Sequence, residues 1–237
     1  MKISQYDLVC FDWDGTLVSS HDTYRKCDQF LIFNNYNKSV SLDTLNAIVA
    51  DYWDKYGING LNNYYRDWAK LFNNSEDKKI VKLGFDNFLK EIRYKENAAN
   101  ALRKLKQQNP NVKTALITGS RRQEIDLYST DLSETGKILK PNAFFDYIVT
   151  KDDVSQSKPN PESYQMALEH FDMVEKLNKV LVIEDSMIGA ISAYLAGLKN
   201  IGIIYDPHSD FERYDLKKFN KYYWESWREF EKEMLND

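Results

Sequence analysis

The chain has 237 residues, 43% hydrophobic and 29% charged, with 32 basic against 36 acidic side chains and a net charge of −4. That length can bury a core without help from disulfides or a structural metal, and collagen-like or disordered classes do not fit the composition. There is no basic block for nucleic acid and no run of about 20 apolar residues for a membrane span, so neither partner is expected.

The first residues, MKISQYDLVCFD, lack the apolar stretch of a signal peptide, and Cys10 and Cys27 stand at no metal or redox spacing. The expectation is a cytoplasmic protein with reduced thiols. Residues 7–11, DLVCF, form an apolar run that stops at Asp12-Trp13-Asp14-Gly15, the pattern of a buried strand entering a turn. From about Thr16 to Arg93 helical spacing takes over. Tyr24, Phe30 and Leu31 suggest one helix, and Leu42, Leu45, Ile48, Val49, Tyr52, Trp53 and Tyr56 mark a second, with Gly57 as its stop. Ile80, Val81, Phe85, Phe88, Leu89 and Ile92 make a further stripe.

After that the pattern alternates. Residues 96–108 read as a helix ended by Asn109-Pro110, and 113–117 as a strand stopping at Thr118-Gly119-Ser120. Ser120 and Gln123 have the spacing of a capping box. Residues 145–150 form another apolar run, and Asn160-Pro161 reads as an N-cap followed by a first-turn proline. KVLVI at 179–183 is a strand, 186–198 a helix closed by Gly197, and 201–205 a further strand. The aromatic, amphipathic residues 219–235 are expected to dock on the core. Strands separated by such helices predict an α/β fold, a Rossmann-like doubly wound parallel sheet with a helical block inserted after its first strand. The expected boundaries are 1–18 with 94–237 for the core and 19–93 for the insertion.

Ligands of such sheets bind at the carboxyl ends of the strands. There the sequence places Asp12 and Asp14, Thr118, and the pair Glu184-Asp185, with Lys158 in the loop before a helix. Four carboxylates together repel one another. A divalent cation relieves that, and oxygen-only ligands favour magnesium (Mg2+), which keeps room for waters and a substrate phosphate. Thr118 and Lys158 can hold the anionic group. Taken singly, each has a plainer reading: a turn for DWDG, a helix cap for Glu184-Asp185, a strand-end hydroxyl for Thr118, a solvated loop lysine for Lys158.

Together, DWDGTLV, ITGS, SKPNPESYQMALE and VLVIEDSMIGAISAYLAG resemble, in order, the four motifs of the haloacid dehalogenase-like hydrolases. The spacing is similar to the branch with a helical cap between the first two motifs, which includes phosphoglycolate phosphatase and β-phosphoglucomutase. The resemblance covers roughly residues 7–20 and 96–205 and leaves the cap, 19–93, unassigned by motif. It implies Asp12 as the nucleophile that forms an aspartyl-phosphate, and Asp14 as the acid that protonates the leaving oxygen and then deprotonates water. It also implies metal binding by Asp12, Asp185 and the Asp14 backbone carbonyl, and phosphate binding by Thr118, Gly119 and Lys158. Glu184 stands where relatives vary and is expected in the second layer around the metal or as an occasional ligand.

The implied activity is magnesium-dependent hydrolysis of a small soluble phosphomonoester by a monomer or homodimer. The alternatives are a phosphomutase of the β-phosphoglucomutase type and a non-catalytic binding protein on the same fold. A dehalogenase is disfavoured, because displacing halide needs no acid such as Asp14. His21, Arg121 and Arg122 read as a helix start and solvated helix positions, and Tyr64, Tyr65, Arg66 and Trp68 as an aromatic-basic cluster of the inserted block with a core or surface role. His170 and His208 carry no supporting pattern.

Overall fold

A computed structural model describes residues 2–71, 83, 84, 88, 91–128, 141–208 and 220–236. The first apolar run is strand β1, Leu8–Phe11, buried at every position, as a strand covered on both faces must be. A short antiparallel ribbon follows, with β2 (Val18–Ser19) paired to β3 (Arg93–Tyr94). The main sheet adds β4 (Lys113–Ile117), β5 (Tyr147–Val149), β6 (Val180–Glu184), β7 (Ile201–Ile204) and β8 (Tyr222–Trp224). Its order is β5-β4-β1-β6-β7-β8, with every pairing parallel. Winding out to β5 and then back to β6 makes β1 the place where the direction of winding reverses. That is the doubly wound order, and its ligand crevice opens beside such a reversal.

Chain contacts divide the protein into two units, Met1–Ser19 with Arg93–Asp237, and Ser20–Ile92. The second unit contains α1 (His21–Tyr36), α2 (Leu42–Tyr56) and α3 (Gly60–Leu71). Helix α2 has the expected ends: the Ser41 hydroxyl accepts from the Thr44 N–H at 3.1 Å, and Gly57 stops it in a left-handed conformation, φ 56°. The stripe from Ile80 to Ile92 lies largely outside the described residues.

Tyr64, for which a core or surface role is expected, is buried in this unit against a charged cluster. Arg25 pairs with Asp28 at 2.7 Å, the Tyr64 hydroxyl donates to Asp28 at 2.8 Å, and the guanidinium lies 4.9 Å from the Tyr64 ring centroid. Burial pushes the Asp28 carboxyl up to about 6, with Arg25 and Tyr64 pulling the other way. The folded chain therefore keeps this proton at pH values where the unfolded chain, near 3.9, has released it. The stability that Asp28 contributes is present below about pH 4 and lost as the pH rises through about 6. Relative to Asp28→Asn, which cannot titrate, the wild type is expected to lose on the order of 2–3 kcal/mol across that interval in denaturant titrations. A difference that does not change with pH would contradict this.

In the first unit α4 (Ala98–Gln108), α5 (Arg122–Tyr128), α6 (Glu162–His170) and α7 (Met187–Leu195) alternate with the strands. Cys10, Ala115, Ile117, Val182, Tyr164, Ala190 and Ile203 share one buried cluster. Helix α6 begins one residue later than expected, after Pro161, though the Asn160 side chain still accepts the Glu162 N–H at 3.0 Å. The aromatic C-terminal stretch docks on the core, contributing edge strand β8 and a short helix α8 (Trp227–Phe230). Trp224, Trp227 and Phe230 are buried. Both cysteines are buried free thiols, and burial pushes each up to about 12. No helix among the described residues is long and apolar enough to cross a membrane.

Candidate active site

The turn after β1 carries two acids to the carboxyl edge of the sheet. Asp12 still belongs to the ladder, its N–H donating to the Ile183 carbonyl at 2.9 Å. Gly15 then takes φ 81°, a conformation side chains resist, and its N–H donates to the Val18 carbonyl at 3.0 Å. On this turn the Asp14 carboxylate accepts from the Ser120 hydroxyl at 2.5 Å. Ser120, expected as a helix cap, thus reaches the second acid. Thr16, fully buried, donates from Oγ1 to Asp185 at 3.0 Å, and its carbonyl accepts from the Trp227 indole at 2.9 Å.

Thr118 follows β4, its N–H donating to the Val149 carbonyl at 3.0 Å and its Oγ1 accepting from the Ser120 N–H at 3.0 Å. A hydroxyl that accepts in this way keeps its own proton to donate. Beside it Gly119 borders open space, since a Cβ built there meets nothing within 4 Å. An anion can therefore approach the backbone at this point.

Lys158 lies in a loop shaped by Glu162, whose carboxylate accepts the Ser155 and Gln156 N–H groups at 2.8 and 2.9 Å. It is no solvated lysine. Its three protons meet Asp12 at 2.8 Å, the Ile117 carbonyl at 2.9 Å and Glu184 at 2.6 Å. Burial presses its pKa down, but the Asp12 and Glu184 charges outweigh that and hold the ammonium above its usual range. Nor do Glu184 and Asp185 cap α7; the Ser186 hydroxyl does, accepting the Gly189 N–H at 3.2 Å.

One carboxylate oxygen each of Asp12, Glu184 and Asp185 lies within 4.8 Å of the others, and all three residues are buried. Burial, and then the charges of Asp12, Glu184 and Asp206, push the Asp185 carboxyl well above its usual range, against Lys95. Asp206, beyond the end of β7, is ion-paired to Lys95 at 2.7 Å. Neither residue was singled out from the sequence; a pair so far apart in the chain leaves no local pattern. Hard oxygen donors with surplus negative charge suit a divalent cation.

Of the residues set aside, Arg122 pairs with Asp153 at 2.9 Å and His170 stacks on Tyr147 with centroids 3.9 Å apart. Both sit in local packing.

Residues 6–197 match the family model of the haloacid dehalogenase-like hydrolases. The chain is 26% identical over 200 residues to pyrophosphatase PpaX of Bacillus cereus, covering 82% of each protein. It is 31% identical over 131 residues to the phosphorylated carbohydrates phosphatase of Thermotoga maritima, 53% of this chain and 59% of that one. Among solved structures, CbbY from Rhodobacter sphaeroides in complex with phosphate shares the fold, with TM-score 0.69 and 17% identity, over 95% of this chain and 96% of that one.

Proposed function

This chain belongs to the haloacid dehalogenase-like hydrolases, and on that premise we propose that it transfers the phosphoryl group of a small soluble phosphomonoester to Asp12 and then to water. The observation that carries the reading is the pairing of Asp12 with Lys158 at 2.8 Å beside the buried Asp12, Glu184 and Asp185 carboxylates. A lone carboxylate would serve as a nucleophile; the ammonium beside it addresses the phosphoryl oxygens that must arrive there.

The Asp12 carboxylate attacks phosphorus in line with the leaving oxygen, forming an aspartyl-phosphate. Asp14, held by the Ser120 hydroxyl, gives its proton to that oxygen and then takes one from the water that attacks phosphorus. The Thr118 hydroxyl, the Gly119 backbone and Lys158 hold the transferring oxygens and balance their charge. Asp12 and Asp185 through their carboxylates, and Asp14 through its backbone carbonyl, would hold magnesium. When bound, that ion neutralises further charge on the phosphoryl group. Residues 19–93 are assigned the part of a cap domain that selects among substrates.

The test is a panel of phosphorylated metabolites, with inorganic pyrophosphate and an aryl phosphate, assayed with magnesium and with chelator. The relatives' names justify including both pyrophosphate and sugar phosphates. Turnover that the chelator removes is expected. Folded protein with no turnover on any of them would overturn the reading. Asp185→Asn is expected to raise the magnesium concentration for half-maximal rate by about tenfold or more. An unchanged titration would place Asp185 outside the metal site.

A further inference from the structure

We propose that Tyr164 is a positioning residue of this site: its hydroxyl fixes Glu184, and Glu184 in turn fixes Lys158 against Asp12. The inference rests on the phosphoryl-transfer reading above and adds Tyr164, to which that reading gives no part. Tyr164 belongs to α6 and not to a strand end, and it is fully buried. Its hydroxyl donates to Glu184 Oε1 at 2.6 Å. The same oxygen accepts from Lys158 at 2.6 Å, while Oε2 accepts from the Ser186 hydroxyl at 3.3 Å. Glu184 is therefore committed on both oxygens, and the lysine that reaches Asp12 is braced from behind.

The brace also depends on an absence of volume. A Cβ at Gly189 would lie 2.0 Å from the Glu184 carboxylate, so the carboxylate fills the space that a side chain there would need. The Tyr164 ring also offers a face to the ammonium, with Nζ 5.3 Å from the centroid. Take away the phenolic hydroxyl and Oε1 loses one of two donors within a cluster where like charges lie close. Glu184 and Lys158 can then shift together. Lys158 stabilises charge that is transferred, so a small displacement is felt in the transition state more than in substrate binding.

The experiment compares wild type with Tyr164→Phe, which keeps the ring and removes only the hydroxyl. The expected result is a kcat about 10–100-fold lower with KM within about twofold, the scale seen when a supporting partner is lost. Gly189→Ala, whose Cβ would displace the same carboxylate, is expected to give the same split. Binding of orthovanadate, a mimic of the transferring phosphoryl group in its transition state, measured by calorimetry, supplies a readout independent of turnover. Tyr164→Phe should weaken it in the wild-type background and have no further effect in Lys158→Met, the signature of action through that lysine. If wild type turns over normally and both folded variants keep full kcat, the proposal is overturned while the reading of the site stands. Equal loss of vanadate affinity in both backgrounds, or no loss in either, would also overturn it. A wild type that neither turns over nor binds vanadate would overturn the reading and this inference with it.

Discussion

Asp12→Asn is expected to lower kcat by about three powers of ten or more while leaving the protein folded. Losing a covalent nucleophile typically costs that much, because the remaining groups cannot open an equivalent route. The amide has nearly the volume of the carboxylate, so packing is conserved. It also relieves one of three buried carboxylates whose oxygens lie within 4.8 Å of one another, and Lys158 keeps Glu184 as an ionic partner. The substitution should therefore cost little stability and most of the activity. Steady-state kinetics beside thermal melts separate the two effects. Retention of more than about one per cent of wild-type kcat in folded protein would rule out the covalent route.

Lys158→Met is expected to damage both. The lysine side chain is 9% exposed and ion-pairs with Asp12 at 2.8 Å and Glu184 at 2.6 Å. Methionine preserves the aliphatic stem and removes the charge. Two buried carboxylates then face each other without a counter-charge, and the Ile117 carbonyl loses its 2.9 Å donor. Breaking a buried pair by removing one partner costs about 3–5 kcal/mol. Loss of the donor to the transferring oxygens should separately lower kcat by about two to three powers of ten. Urea titrations and kinetics at saturating magnesium measure the two losses. A variant as stable as wild type would mean that the buried carboxylates are protonated or otherwise compensated.

Much of this was legible in the sequence, for identifiable reasons. Strands β1, β4 and β6 are short apolar runs that end on a polar residue, so both the strand and the residue at its carboxyl end could be read together. Helix α2 carries its own cap and glycine stop. The ribbon β2–β3 has two residues per strand, too few to leave a period, and β8 is an edge strand whose pairing to β7 comes from the rest of the sheet. Asp12, Asp14, Thr118 and Asp185 could be proposed as site residues because they stand at strand ends, and Lys158 because it stands in the loop before a helix, all in a familiar order. Ser120 reads as a helix cap, and its hydroxyl bond to Asp14 was not legible because a cap and an acid's hydrogen-bond partner look alike in sequence. Tyr164, Thr16, Lys95 and Asp206 were invisible for another reason: each acts through a partner far along the chain. Tyr164 in particular sits among apolar positions of α6, where a tyrosine reads as packing.

The measurement closest to the central claim is direct detection of the intermediate. Enzyme mixed with a substrate identified from the panel and quenched in acid within one turnover is digested and analysed by mass spectrometry. A phosphoryl group on Asp12, absent in Asp12→Asn and lost when the quench is delayed beyond turnover, is the predicted result. Full turnover with no phosphorylated peptide at any quench time, or with the phosphoryl group on another residue, would contradict the account.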